Sequence, residues 1–551
     1  MDPTNPAQAI FRRQQEAKVL MAPQVSLWRD LATYVKPDRD VIGVNGAGSS
    51  PNSAAFDLFD GTAMHGNLIY ASGCMSYLTP ADSPWFRFDA PQRLNDDDQV
   101  KAWLAEVTEI TQMRLADSNF YSEIHQCWLE DGAFGTPSIF CESGTESPIE
   151  FTAREVGDYQ ILENSRGRID TWFHEFTLSA RQAAQKFGEP GDQLPQHILD
   201  ALKEGGTKAD AKHQFLHVIY PRADAERDHL KLDGPNMPIA SVYLSVTDKT
   251  IVRTSGYWET PEASSRYQKW GKNPWGIAPA LYALADQRQL NDLQMNMDVL
   301  AEVAAFPRIL AHADLEGEID LRRSGVTFFG DQTKKAEEWL TGGRYDVGVD
   351  RVRERQEAVK RAFHVDLFQM FASLPAGKEM TATETLERMR EKLTLFSPTF
   401  ARKTIEMLNP CLKRVFGLLL RAGEYPEIPE ALMSMPVPGQ LQIADPQITY
   451  TSRIAMAIKL IQGAGLQRSV QSFAPMIEMG LPVLDNLNLD RAFRDTLRNE
   501  GVNEDWMIGE QEVGQMREQR AQAQAEAAQK EEMMQGAEAA AKLQKAGLMD
   551  Q

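Results

Sequence analysis

Apolar residues recur at helical spacing along most of this chain, and the exceptions gather in one stretch. Trp28, Leu31 and Val35 share a face of a helix expected over residues 7–36, which Pro37 ends. Gly43–Ser53 (GVNGAGSSPNS) reads as a flexible loop. Asp60 is placed as the N-cap of a helix with Met64, Leu68, Ala71, Met75 and Leu78 on one face. Thr79–Pro84 closes that helix, Trp85–Phe88 reads as a strand, and another helix is expected over 96–117. Residues 138–260 change character. IEFTAREV, RIDTWFHEFTL, HQFLHVIYP and ASVYLSVTDKTIVRTSGYW are strand-like, with turns at Ser165–Gly167 and Asp248–Lys249. One helix over 179–203 interrupts them. The pattern predicts a β-rich, antiparallel layer packed on the N-terminal helices.

From residue 284 the period returns to that of a helix. Leu290, Leu293, Met297, Leu300 and Ala304 step by three and four, and Pro307 ends the run. A module at 307–350 holds the acidic DLEGEID, the strand-like GVTFFG and a glycine-rich exit, TGGRYDVG. Asp350 is placed to cap a second long helix, 351–372. Ser373–Phe396 then sets a short loop before a firmly started helix. Thr381 and Glu384 have capping-box spacing, which contributes on the order of 1 kcal/mol. Leu386, Met389, Leu393 and Phe396 share a face, and Ser397–Pro398 restarts a helix with proline first. Ile405, Leu408, Leu412, Val415 and Leu419 continue the stripe. Pro410 is expected to kink it, and Gly423 and Pro426 to end it. QLQIADPQITY reads as a returning strand and 453–500 as helix. The Ala/Gln/Glu/Met-rich 511–551 is either a helix stabilised by assembly or disordered. No fixed-period repeat is present.

At 551 residues, two to four domains are expected, and 42% hydrophobic residues can bury sizeable cores. The formal charge of −20, from 58 basic and 78 acidic side chains, argues against a surface that grips nucleic acid; it leaves room for contact without retention. Cys74, Cys127, Cys141 and Cys411 lie far apart and form no C-x-x-C pair, so reduced, mostly buried thiols are expected. The N-terminus has no apolar signal region, and the densest apolar run, Val415–Leu420, is far short of a membrane span. A soluble, non-exported protein follows.

Catalytic motifs were sought by their mechanics. Gly205-Gly206-Thr207-Lys208 has the wrong order for a phosphate loop, and His174–Glu175 stands alone without a second histidine. No G-x-S-x-G elbow exists. In VLDNLNLD, Leu487 and Leu489 take alternate positions and Arg491 replaces the loop glycine, so Asp490 reads as a helix N-cap and not as a calcium ligand. Asp96–Asp98 reads as a solvated helix start. No nucleophile, base and oxyanion donor assemble. No enzyme, cofactor or metal is expected.

Two features remain unusual. Arg351, Arg353 and Arg355 crowd what is expected as the positive end of the second long helix. They either pair with Glu354, Glu357 or a neighbouring helix, or face phosphate or an acidic partner. The loop Leu374, Pro375, Ala376, Gly377, Lys378, Glu379 is either a plain connector or a functional projection.

The order of these parts resembles the portal protein, the head-to-tail connector, of short-tailed double-stranded DNA phages. The resemblance is carried by WRDLATYVKP at 28–37, FDGTAMHGNLIYASGCMSYLTPADSPWFRF at 59–88, RAFHVDLF at 361–368 and TATETLERMREKL at 381–393. It continues through LNPCLKRVFGLLLRAGEYPEIP at 408–429, YTSRIAMAIK at 450–459 and PVLDNLNLDRAFRD at 482–495. It departs at Ser452–Arg453, where a Ser-Pro step is expected, and at NLNLD, where the usual form is more acidic. The resemblance implies an α+β portal-type fold: mainly helical, with a β-rich wing layer, two long antiparallel stem helices and a small α/β clip. It implies a wing of 1–283 and 381–424, stem helices at 284–306 and 351–372, and a clip at 307–350. It further implies a tunnel loop at 373–380 facing DNA, a crown within 425–510, and an optional barrel at 511–551. Arg351, Arg353, Arg355, Lys360 and Arg361 would then be channel contacts. Asp314, Glu316, Glu318, Asp320, Lys334 and Lys335 would meet clip partners. Thr381, Glu384 and Pro410 would cap and kink the long helix.

A ring of twelve copies at one capsid vertex is the implied assembly. Its implied partners are passing double-stranded DNA, the terminase large subunit, tail adaptor or nozzle proteins, major capsid and scaffolding proteins, and internal core proteins, with no membrane. The implied location is the virion, and the host cytoplasm during assembly. The seams at 290–304 and 359–370 either join copies or pack within one chain. A capsid scaffold or core protein is the first alternative, disfavoured by the β layer; a DNA-processing packaging enzyme is the second, disfavoured by the missing motifs.

Overall fold

The computed structural model describes residues 6–39, 58–90, 97–144, 147–305 apart from 190, 229 and 232, 309–310, 313, 337–338, 345–372, 396–433, 446–452, 454–455, and, further on, 490, 493, 513–525, 530 and 533–534. The loop 374–379, Thr381, Glu384, the clip residues 314–335, the glycine-rich 43–53 and most of 456–551 lie outside the described residues. The chain divides into two units, Met1–Leu94 with Val100–Ile458, and Asn95–Gln99 with Lys459–Gln551.

In the first unit, α1 (Pro6–Val35) buries Ile10, Ala17, Trp28, Leu31 and Val35. Helix α2 (Thr62–Leu78) buries Ala63, Asn67, Tyr70, Cys74 and Tyr77. The expected face is met only in part: Ala71 and Leu78 are buried, but Met64 and Leu68 are 44% and 48% exposed. Small residues set the packing side. A Cβ on Gly66 or Gly73 would sit 2.9 or 2.3 Å from the rings of Phe363 and Phe368. Strand β1 (Phe86–Asp89) and helix α3 (Asp98–Asp117) follow. Then comes α4 (Phe120–Phe134), a helix that periodicity did not reveal. It ends at Gly135, whose left-handed φ of 79° lets its amide donate to the Asp131 and Glu130 carbonyls.

The β layer is antiparallel throughout. Strands β2 (Ser138–Glu142) and β3 (Glu150–Arg154) pair, and β9 (Glu262–Ser264) adds to β2. Strands β4 (Tyr159–Glu163), β5 (Ile169–Ser179), β6 (Lys212–Pro221), β7 (Ile239–Ser245) and β8 (Thr250–Tyr257) form a five-stranded sheet in chain order. Alternation divides its faces. Phe173, Leu216, Val218, Ala240 and Val242 pack with Ala7, Ile10 and Ala17 of α1. On the other face, Phe215, Tyr243 and Val252 pack with Ala180, Ala183, Phe187 and Ile198. Those residues belong to and flank two helices, α5 (Ala180–Lys186) and α6 (Gln196–Glu204), where one was expected. The Gly188-Glu189-Pro190 sequence interrupts the run, and Ser179 with Gln182 forms a capping box at its start.

Strands β10 (Gln268–Lys269) and β11 (Gly276–Ile277) pair and lead into α7 (Pro279–Ala305). Strand β12 (Ile309–Leu310) pairs with β13 (Glu337–Glu338). Helix α8 (Tyr345–Ala362) then returns antiparallel to α7, Asp286 meeting Arg355 and Met297 meeting Gly348. It begins more than a turn before Asp350, which therefore does not cap it. The arginine row is inside the helix, so its expected conflict with the dipole end does not arise. The expected single helix to 372 is also broken. His364 adopts φ 55°, and α9 (Val365–Ala372) restarts beyond it.

Residues 396–403 are helical, Thr404–Leu408 form one π-helical turn, and α10 (Asn409–Arg421) continues. Proline 410 has no amide to donate to residue 406, and the wider turn falls where that bond is missing. The same widening takes Ile405 out of phase with the stripe, leaving it 53% exposed, while Leu408, Leu412, Val415 and Leu419 are buried. The returning strand is β14 (Gln447–Tyr450), paired with β1 as Phe86–Tyr450 and Phe88–Ile448. In the second unit, Arg517 pairs with Asp490 at 2.5 Å. The fold is α+β, mostly helical with antiparallel sheets.

Candidate functional site at a helical hairpin and its buried anchor

The α7–α8 hairpin is fastened to α2 by one carboxylate. Asp60 accepts from the Thr62 amide at 2.8 Å, so it serves the α2 start although it precedes the cap position. Its other oxygen accepts from Gln356 of α8 at 2.9 Å. Gln287 of α7 donates to the Asp60 carbonyl at 2.8 Å and accepts from the Ala63 amide at 3.2 Å. Asn291, one turn further along α7, accepts from the Phe59 amide at 2.7 Å. Three helices thus meet on two consecutive residues of the FD pair at 59–60.

Below this junction lies a charge pair with no solvent access. Lys403 and Asp131 are both 0% exposed and bonded to each other. Tyr70 donates to the same carboxylate oxygen at 2.6 Å. The ammonium lies 4.9 Å from the Trp128 ring, 5.5 Å from Tyr70 and 5.8 Å from Tyr267. Tyr267 hydrogen-bonds His364 Nε2 at 2.7 Å, the residue whose left-handed backbone separates α8 from α9. A non-glycine residue there is strained by on the order of 1–3 kcal/mol and is held by its surroundings. Burial, then the nearby Lys403, lowers the His364 pKa, so its imidazole stays neutral. Burial and then Asp131 push the Tyr70 hydroxyl up. The Cys74 thiol is pushed up to about 12, chiefly by burial. Cys127 and Cys141 also shift well upward by burial, and all four cysteines are buried and free. These groups hold helices together; they do not present a nucleophile.

The basic residues of α8 divide by surroundings. Arg351 pairs with Glu354 at 2.8 Å on the surface, and Arg355 bridges to Asp286 of α7. Arg353, Lys360 and Arg361 are exposed. Pro410 stands at the start of α10, beyond Glu406, whose carboxylate receives the buried Arg266 at 2.6 Å. Sequence reasoning missed Asp131 and Lys403. Their signals were the Gly135 helix stop and a lysine among apolar neighbours. Among the described residues, no group of His, Cys, Asp or Glu could hold a metal, and no helix is long and apolar enough to cross a membrane.

A family model described as bacteriophage head to tail connecting protein matches residues 7–508. The chain is 28% identical over 537 residues to the probable portal protein of Bordetella phage BPP-1, covering 94% of this chain and 92% of that one. It is 28% identical over 531 residues to the portal protein of Salmonella phage epsilon15, covering 94% and 91%. A solved structure titled virion of native gene transfer agent (GTA) particle aligns with a TM-score of 0.34 at 10% identity, over 76% of this chain and 86% of that one. The chain belongs to the bacteriophage head-to-tail connecting protein family, as a portal protein of the virion's head–tail junction whose role is structural and not enzymatic.

Proposed function

We propose that copies of this chain close into a ring of twelve at one vertex of a short-tailed phage capsid, and that double-stranded DNA passes through its centre during packaging and ejection. Residues 284–306 and 351–372, which carry most of α7, α8 and α9, are the stem in this reading. Residues 307–350 are the clip that receives the terminase large subunit and later the tail adaptors. Residues 373–380 are the loop turned towards DNA, and 1–283 with 381–424 are the wing. Capsid, scaffolding and internal core proteins contact the outer parts, including the crown within 425–510 and the tail at 511–551.

The observation that carries the reading is the hairpin itself. Its base is buried and fastened at Asp60, whereas beyond Leu290 α7 exposes Met295 and Val299 to solvent in the isolated chain. A lone globular protein gains nothing from extending such a hairpin; an assembly does. Charge supports it too. Twelve chains of −20 sum to about −240, which favours sliding of phosphate over capture. Particle imaging of the purified protein tests the reading: closed rings with a central hole are expected. A protein that stays monomeric at every concentration and salt overturns it.

A further inference from the structure

Of the two uses open to the apolar seams, packing within the chain is the one that Met297, Phe363 and Phe368 make. Leu290 and Met297 turn towards α8, where a Cβ on Gly348 would lie 2.1 Å from the Met297 sulfur. Phe363 and Phe368 close on Gly66 and Gly73 of α2. Any surface for a second copy must therefore be elsewhere.

At about 100° per residue, Asp292, Met295, Val299 and Glu302 fall on the side of α7 opposite its contact with α8. Met295 is 41% and Val299 52% exposed, while Asp292 and Glu302 are exposed acids. The apolar surface does not stop at α7. Asn291, one turn before Met295, holds the Phe59 amide, and Phe59 is 46% exposed. An exposed apolar strip of this kind marks an interaction site.

The far side of α8 differs in charge. It exposes Arg353, Lys360 and Arg361 beside Asp350 and Glu357. The outer side of α7 thus carries Asp292 and Glu302, whereas the described exposed residues on the far side of α8 are three basic and two acidic. A closed ring needs two different faces on opposite sides of each copy, and the outer sides of α7 and α8 meet that condition with opposite charge balance.

We propose that the strip from Phe59 along α7 to Val299 docks on the outer side of α8 in a second copy. Asp292 then faces Arg353 of that copy. The inference rests on the ring reading and assigns its faces.

The test uses the full chain, followed by particle imaging, sedimentation and thermal melting. Met295→Asp with Val299→Asp should reduce the ring fraction by about tenfold or more while the melt of the exposed-site variant is unchanged. Asp292→Arg alone should weaken rings, and adding Arg353→Asp should restore them. If the double aspartate chain fails to fold, Asp292→Cys with Arg353→Cys decides the matter, because the native cysteines are buried. Oxidation should then link chain to chain. Rings that persist in the aspartate variant, no rescue by Arg353→Asp, or no link between chains overturn the assignment of faces. Wild-type protein that never forms rings overturns the ring reading instead.

Discussion

Lys403 and Asp131 stand 272 residues apart in the chain and share a bond from which solvent is wholly excluded. Taking both charges out of water is costly, and removing one partner strands the other. Lys403→Met should therefore destabilise the protein by about 3–5 kcal/mol, read from the urea midpoint. Lys403→Met with Asp131→Asn should recover most of that loss. A single variant as stable as the parent contradicts the account.

Glycine 73 permits the closest approach between α2 and α9. Gly73→Ala places a methyl group against the Phe368 ring and should cost about 1–3 kcal/mol by overpacking. Phe368→Leu in the same chain should relieve part of the cost. Melting temperatures of the two single variants and the double variant check this.

Asp60→Ala removes the α2 amide's acceptor and the bond from Gln356. A loss of about 1–2 kcal/mol is expected. Amide exchange should quicken in the first turn of α2 and not in the five-stranded sheet.

Acid stability has a definite sign at His217. Burial, then Arg154 and Lys186, holds its pKa well below the ordinary 6.5, and its Nε2 lies 2.9 Å from the Ser241 hydroxyl. As pH falls below 6.5, the unfolded chain takes up a proton that the folded chain refuses, so stability falls. Asp158 acts in the opposite sense. Burial raises it to about 6, and its contribution is lost as pH rises through that value. His217→Gln leaves Asp158 in place and should make the acid limb of a stability–pH curve shallower.

The sequence declared what depends on local period. Strands β5 to β8 of the five-stranded sheet, helix α1, β1 and the returning β14 were legible as alternation or helical spacing, whereas β4 and the pairing of β1 with β14 were not. Helix α4 was not, because Glu130 and Asp131 occupy its buried face and look like surface positions. The α2 face was partly misread for the converse reason: Gly66 and Gly73, and not Met64 and Leu68, make its tightest contacts. The break at His364 carries no glycine or proline, and the Tyr267 hydroxyl that hydrogen-bonds its ring lies 97 residues away. Of the junction, Asp60 could be placed from sequence, while the Lys403–Asp131 pair depends on distant segments meeting.

The π turn at Thr404–Leu408 fixes a rotational phase. It lies between Lys403, inside its aromatic surroundings, and α10, whose Leu412 and Val415 are buried elsewhere. Deleting one residue there would swing Lys403 by about 100° about the axis without altering a single side chain of α10. Descent should thus tolerate exchange at Ile405 far more readily than any insertion or deletion between Lys403 and Pro410, because length, not letter, is what that segment transmits.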